Sequence, residues 1–184
     1  MIDDLRSRYH VACLYADYRD QSNQTLAHIL GSFLHQLLTT NQEPIPDEVI
    51  KKLQDIWSIR RKIETQDILA MLKIRIHQLR CAFICIDAMD ELESRVRQQL
   101  LNALRELSTT NKIRLFLTGR FHVESEVQKY LQVAQKYTAT ISARHQDIQE
   151  FVREQIMDDL CIDAMNEVLA KDIEDAVIKK SQGM

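Results

Sequence analysis

The chain has 184 residues, 45% of them hydrophobic and 28% charged, with a formal net charge of −3. That length suits one domain with a small appendage and is enough to bury a core. The near-balanced charge argues against a nucleic-acid footprint, no apolar run approaches the roughly 18 residues of a membrane span, and the mixed residues from Met1 to His10 are no secretory leader.

In chain order, Met1–Ser7 reads as the tail of a helix, and Val11–Ala16 (VACLYA) as a strand. Thr25–Leu38 carries Leu26, Ile29, Leu30, Phe33, Leu34, Leu37 and Leu38 at helical spacing, an amphipathic stripe. Two prolines break the chain within Asn41–Pro46, and two further helices are expected over Asp47–Ser58 and Gln66–Leu79. Cys81–Ile86 (CAFICI) is apolar throughout, the mark of a strand covered on both faces. A helix over Leu92–Leu107, a strand at Ile113–Thr118 and a short helix at His122–Leu131 follow. Tyr137–Ser142 (YTATIS) alternates and reads as a strand nearer an edge; His145–Leu160 and Asp163–Lys180 read as closing helices, with Gly183 as a C-cap. Strand and helix in alternation predict a parallel α/β sheet with right-handed crossovers.

Cys13, Cys81, Cys85 and Cys161 form no CxxC pair, and three sit in apolar stretches, so reduced thiols in a cytoplasmic protein are expected. The histidines show no zinc-ligand spacing with them. Tyr15, Tyr18, Phe116 and Trp57 are expected to pack in the core. Glycine is scarce: Gly31, Gly119 and Gly183 lie far apart, so neither GxxxxGK[ST] nor GxGxxG occurs.

In open α/β sheets ligands bind beyond the carboxyl ends of the strands. Asp17, Arg19 and Asp20 follow the first strand, Asp87, Asp90 and Glu91 the second, Gly119 and Arg120 the third, and Arg144 the fourth. An apolar strand delivers Asp87 to this rim, where a carboxylate can hold hydrated Mg²⁺. Asp90 or Glu91 can orient or deprotonate an attacking water. A plainer reading makes Asp90 and Glu93 a capping box for the next helix. Arg120 suits a phosphate through its planar fork, or a surface ion pair.

The ordered set LYADYRDQSNQT, FICIDAMDEL, RLFLTGR and ARHQDIQEFV resembles the NACHT NTPase domain of fungal signalling proteins, and more narrowly the nephrocystin-type domain often found with ankyrin or WD repeats. These belong to the STAND class of P-loop NTPases. The resemblance implies a three-layer P-loop-like parallel sheet with helices on both faces. It implies ATP or GTP binding with Mg²⁺, slow hydrolysis and nucleotide-controlled self-association. By position, Asp87 matches the Walker B magnesium aspartate, Asp90 and Glu91 the acidic pair after it, and Arg120 the sensor arginine. In that family a strand and Walker A loop precede the point where this chain begins, and the strand lies between those expected at 113–118 and 137–142. The expectation is therefore an incomplete NACHT core over 1–160 and a helical extension over 161–184. Within a larger parent it would bind nucleotide and protein partners or copies of itself; alone it would bind nucleotide weakly or not at all. Two other functions fit the residues. One is a non-enzymatic interaction module on a degenerate NTPase fold. The other is a metal-dependent hydrolase using Asp87, Asp90 and Glu91 directly.

Overall fold

The computed structural model describes residues 8–39, 44–132, 137–141, 145–157 and 167–181. The chain divides into two compact units, Met1–Gln135 and Lys136–Met184.

The first unit is built on three parallel strands, β1 (His10–Tyr15), β2 (Ala82–Asp87) and β3 (Ile113–Leu117), in the order β1-β2-β3. Each lies within a residue of its expected place. The connections are α1 (Leu26–Thr39), α2 (Asp47–Ser58) and α3 (Thr65–Gln78) between β1 and β2, α4 (Ser94–Ser108) between β2 and β3, and α5 (Glu124–Leu131) after β3. Thr25 starts α1 by accepting the His28 N–H at its hydroxyl (3.3 Å).

The register puts Ala12, Ile84 and Leu115 on one face and Cys13, Cys85 and Phe116 on the other. The first face meets the stripes of α1, α3 and α4 in one core that includes Leu30, Phe33, Leu37, Leu72, Leu100 and Leu104. The opposite face holds a smaller cluster, Val11, Cys13 and Cys85 with Phe83 against it. Among the described residues of this unit the helical layer lies on one face, not on both as expected. For the same reason Tyr15 and Phe116 are exposed, Phe116 by 53%, and are not core residues. Trp57 is exposed too, because α2 turns Val49 and Ile56 inward and Trp57 off that stripe.

The two edges of the sheet differ. On β1, the Gln36 side chain accepts the Cys13 N–H (2.9 Å) and donates to the Cys13 carbonyl (2.9 Å), so a side-chain amide takes the place of a neighbouring strand. On β3, Thr118 N–H donates to the Ile86 carbonyl and the Lys112 carbonyl accepts from Ala82. By alternation Ile113, Leu115 and Leu117 aim their backbone groups away from β2. No strand pairs with that edge among the described residues.

At the start of α3, Glu64 and Asp67 form a capping box. Asp67 also accepts both terminal nitrogens of Arg61 (2.7 and 3.0 Å) and the Glu64 N–H (3.0 Å). The Arg61 guanidinium, then the Glu64 N–H, hold the Asp67 carboxyl at about 2, below its ordinary 3.8. A depressed carboxyl stabilises the fold above its unfolded pKa, and that contribution is lost as pH falls through the folded one. The stability gap between wild type and Asp67→Asn is therefore expected to hold above pH 4 and to close between about 4 and 2, as denaturant titrations at stepped pH would show.

In the second unit, α6 (His145–Met157) and α7 (Glu167–Ser181) pack on each other. Glu174 joins them, accepting from Gln149 and from Arg153 (3.1 and 3.2 Å). The expected fourth strand is not formed over residues 137–141, where Tyr137 and Ile141 are exposed. A strand needs a hydrogen-bonding neighbour, and none pairs with residues 137–141 among the described residues. Ser142, Arg144, the expected helix tail at Met1–Ser7 and the Gly183 cap lie outside the described residues.

Candidate functional site

The carboxyl ends of the three parallel strands form one rim, and the residues singled out there are brought together in pairs. Asp87 ends β2 with its side chain exposed, opposite Tyr15 of β1. Thr118, directly after β3, donates its hydroxyl hydrogen to Asp87 Oδ1 and accepts the Ala88 N–H at 2.9 Å. The Met89 N–H donates to the Thr118 carbonyl (2.9 Å), and the Ala16 N–H to the Asp87 carbonyl (3.1 Å). Asp87 is thus fixed from both neighbouring strands.

The chain then turns abruptly. Ala88 adopts φ 55° and ψ 48°, the left-handed region. For a residue with a Cβ this costs about 1–2 kcal/mol. The three hydrogen bonds of Thr118, with the Asp87 side chain, the Ala88 N–H and the Met89 N–H, hold the turn. A single 3-10 turn, Met89–Glu91, follows, and Met89 anchors it in the core.

Asp90 and Glu91, expected to face an attacking water, each accept a backbone N–H. Asp90 Oδ1 accepts from Arg120 N (3.1 Å), and its Oδ2 lies 3.3 Å from Arg120 Nε. Glu91 Oε2 accepts from Tyr18 N (3.2 Å), which ties the loop after β1 to the loop after β2. The capping-box reading of Asp90 fails: α4 begins at Ser94, its N-cap is Glu93, and no side chain caps it. On the β1 side, Asp17 accepts from the side chain and then the backbone of Arg19, which lowers its carboxyl below the usual range.

Behind the rim, Arg97 donates to Glu126 twice (2.8 Å each), to the Leu92 carbonyl (2.9 Å) and to Ser94 Oγ (3.3 Å). It anchors the chain just after the acidic turn to α4 and α5. An open depression lined by Pro44, Asp47, Arg75 and Gln78 belongs to the opposite end of the sheet, where α3 leads into β2.

Among the described residues no three His, Cys, Asp or Glu side chains are close enough to hold an ion together. Asp87, Asp90 and Glu91 therefore do not converge as three ligands of one ion among the described residues. The donor set does fit hydrated Mg²⁺, which keeps most of its water and needs one or two hard oxygen ligands. Asp87 offers such an oxygen, with Oδ1 held by Thr118 and Oδ2 without a hydrogen-bond partner among the described residues.

Thr118 is the site residue that sequence reasoning missed. It lay inside the LTGR motif, but its role comes from register: Ile86 pairs with Leu117, so Asp87 and Thr118 come next on the same face.

Fold and rim define a parallel α/β domain with an acidic strand end, an adjoining hydroxyl and an arginine from the neighbouring strand. The chain belongs to the nephrocystin 3, N-terminal family, whose model matches residues 1–120 and so spans all three strands and the rim through Arg120. No curated protein and no solved structure gives a match. No described helix is long and apolar enough to cross a membrane.

Proposed function

We propose that this chain carries the magnesium and phosphate-sensing side of a nucleotide-binding signalling switch of the NACHT, STAND-class type. In this reading Asp87 holds hydrated Mg²⁺, Glu91 stands beside the path of the attacking water, and Arg120 meets the terminal phosphate of ATP or GTP. The bound metal would offset phosphate charge; this chain's residues orient it and the nucleotide. One observation carries the reading: Asp87, exposed at the end of the middle strand of an all-parallel sheet, is held by Thr118, while Arg120 comes from the same neighbouring strand. The open outer edge of β3 adds support, since the resemblance puts a phosphate-loop strand there. With no glycine-rich loop in the sequence, the chain alone binds nucleotide weakly or not at all, and hydrolysis belongs to a larger parent in the cytoplasm that self-associates or recruits protein partners.

Calorimetry with Mg–ATP and Mg–GTP tests this. The chain by itself is expected to bind no tighter than millimolar. Fused behind a strand, phosphate loop and helix of nephrocystin type, it should bind at micromolar level, and Asp87→Asn in the fusion should cost about tenfold or more. Micromolar binding by the chain alone, or no effect of Asp87→Asn in the fusion, contradicts the reading.

A second reading, a non-enzymatic interaction module on a degenerate NTPase fold, draws on the exposed Ile50, Trp57 and Ile59 along and just after α2. It expects Asp87→Asn to leave partner binding unchanged.

A further inference from the structure

We infer that Asp90 is a positioning residue for Arg120, and that it yields the guanidinium to a phosphoryl anion. The inference rests on the nucleotide reading of the rim and assigns Asp90 a role other than water activation.

The two side chains differ in exposure. Asp90 is 11% exposed and Arg120 80%. A general base must turn an oxygen toward a water. Asp90 turns one oxygen to the Arg120 N–H and the other to its Nε, inside a turn whose Met89 is buried. The backbone bond fixes where residues 118–120 leave β3. The side-chain contact then sets where the guanidinium rests. Arg120 makes no other ion pair and no hydrogen bond from its guanidinium among the described residues, and its side chain is mostly exposed.

The unequal exposure decides which contact can exchange. The backbone bond sits on the shielded carboxylate and persists. The guanidinium contact is in water, where an isolated ion pair is weak. A phosphoryl group offers two or three anionic oxygens in the geometry of the arginine fork and forms stronger, charge-assisted bonds. A phosphoryl anion on the rim therefore draws Arg120 off Asp90 without dismantling the loop. Asp90 thereby holds the sensing arginine in a defined resting position.

The test follows the Arg120 Nε–H signal by NMR in the labelled full chain, with tripolyphosphate as the probe. Wild type should show Arg120 displaced from the free-arginine position. Asp90→Asn should return it there while the Gly119 and Arg120 backbone amides stay in place, since the asparagine carbonyl still accepts the Arg120 N–H. Tripolyphosphate should shift the Arg120 signal in wild type, and in Asp90→Asn at a concentration at least about threefold lower. Glu93→Gln, an equal charge change without contact to Arg120, should leave the wild-type concentration unchanged. If tripolyphosphate moves Arg120 but Asp90→Asn leaves the resting signal unmoved, or shifts affinity no more than Glu93→Gln, the positioning role is overturned while the nucleotide reading stands. If the resting signal depends on Asp90 but tripolyphosphate moves nothing, the release falls together with the nucleotide reading. Should Asp90→Asn not fold, wild type alone decides: the Arg120 Nε and Asp90 carboxyl carbon signals must move together on titration, and movement of Arg120 alone overturns the inference.

Discussion

Arg97→Ala is expected to remove about 3 kcal/mol of the first unit's stability, near the lower end of the range for breaking a buried ion pair from one side. Arg97 is 4% exposed and spends its donors on Glu126, Leu92 and Ser94. Its removal strands the Glu126 carboxylate and the Leu92 carbonyl. The lower end applies because the Glu126 side chain keeps 25% of its exposure, so water reaches the orphaned carboxylate. For a chain of this size the loss corresponds to a melting temperature lower by about 6–12 °C. Arg97→Lys should recover only part, because a point charge cannot reproduce the two parallel bonds of the fork. Replacing both partners, Arg97→Met with Glu126→Leu, should cost less than Arg97→Ala, since no charge is left unpaired. The guanidinium of Arg97, by its hydrogen bonds first, also holds the Glu126 carboxyl below the ordinary 4.5. That stabilisation is full above pH 4.5 and is lost as pH falls through the lowered value, so the wild-type advantage should shrink in acid. Thermal melts of the variants at neutral and acid pH check each step.

The second large effect is expected at Phe33. It is fully buried at the centre of α1 and belongs to the larger core beneath the sheet. Phe33→Ala should cost about 4 kcal/mol, from lost apolar contact plus a cavity that its neighbours only partly fill. Phe33→Leu keeps most of the apolar area and should cost about 1.5 kcal/mol. Both losses should appear in the denaturation midpoint with the slope unchanged. If the alanine variant lost less than the leucine variant, Phe33 would not be packed as described.

Much of this architecture can be read from residue order. CAFICI is apolar at every position and forms the middle strand, which gives periodicity nothing to confuse. The stripe of Leu26 to Leu38 puts Ile29, Leu30, Phe33, Leu34 and Leu37 in the core. The outer strands are less legible. Tyr15 in VACLYA and Phe116 in IRLFLT are expected in the core, yet both emerge on the face opposite α1, α3 and α4. A strand's sequence reports what its side chains tolerate, not which layers are present to cover them. YTATIS alternates as a strand should, but alternation cannot supply a hydrogen-bonding neighbour.

The rim shows the same division. Asp87, Asp90, Glu91 and Arg120 stand out because charges directly after apolar strands are conspicuous. Their pairings are not local: Thr118 reaches Asp87 across 31 positions, and Glu91 reaches Tyr18 across 73. Residue type alone suggested that Asp90 caps a helix or activates water; only the register of β2 and β3 brings it to Arg120. The amide clasp of Gln36 on Cys13 is likewise invisible to periodicity, because a glutamine on a helix face carries no mark of its partner.

The proposed function makes Asp87 the metal-holding end of a nucleotide site. Paramagnetic relaxation with Mn²⁺, a stand-in for Mg²⁺ that takes the same oxygen ligands, tests it most directly. Titrating Mn²⁺ with ATP into the labelled chain, fused behind a strand, phosphate loop and helix of nephrocystin type, should broaden the amide signals of Asp87, Ala88 and Thr118 first, and Asp87→Asn should abolish that pattern while the rest of the spectrum stays folded. Broadening centred elsewhere, or unchanged in Asp87→Asn, would contradict the account.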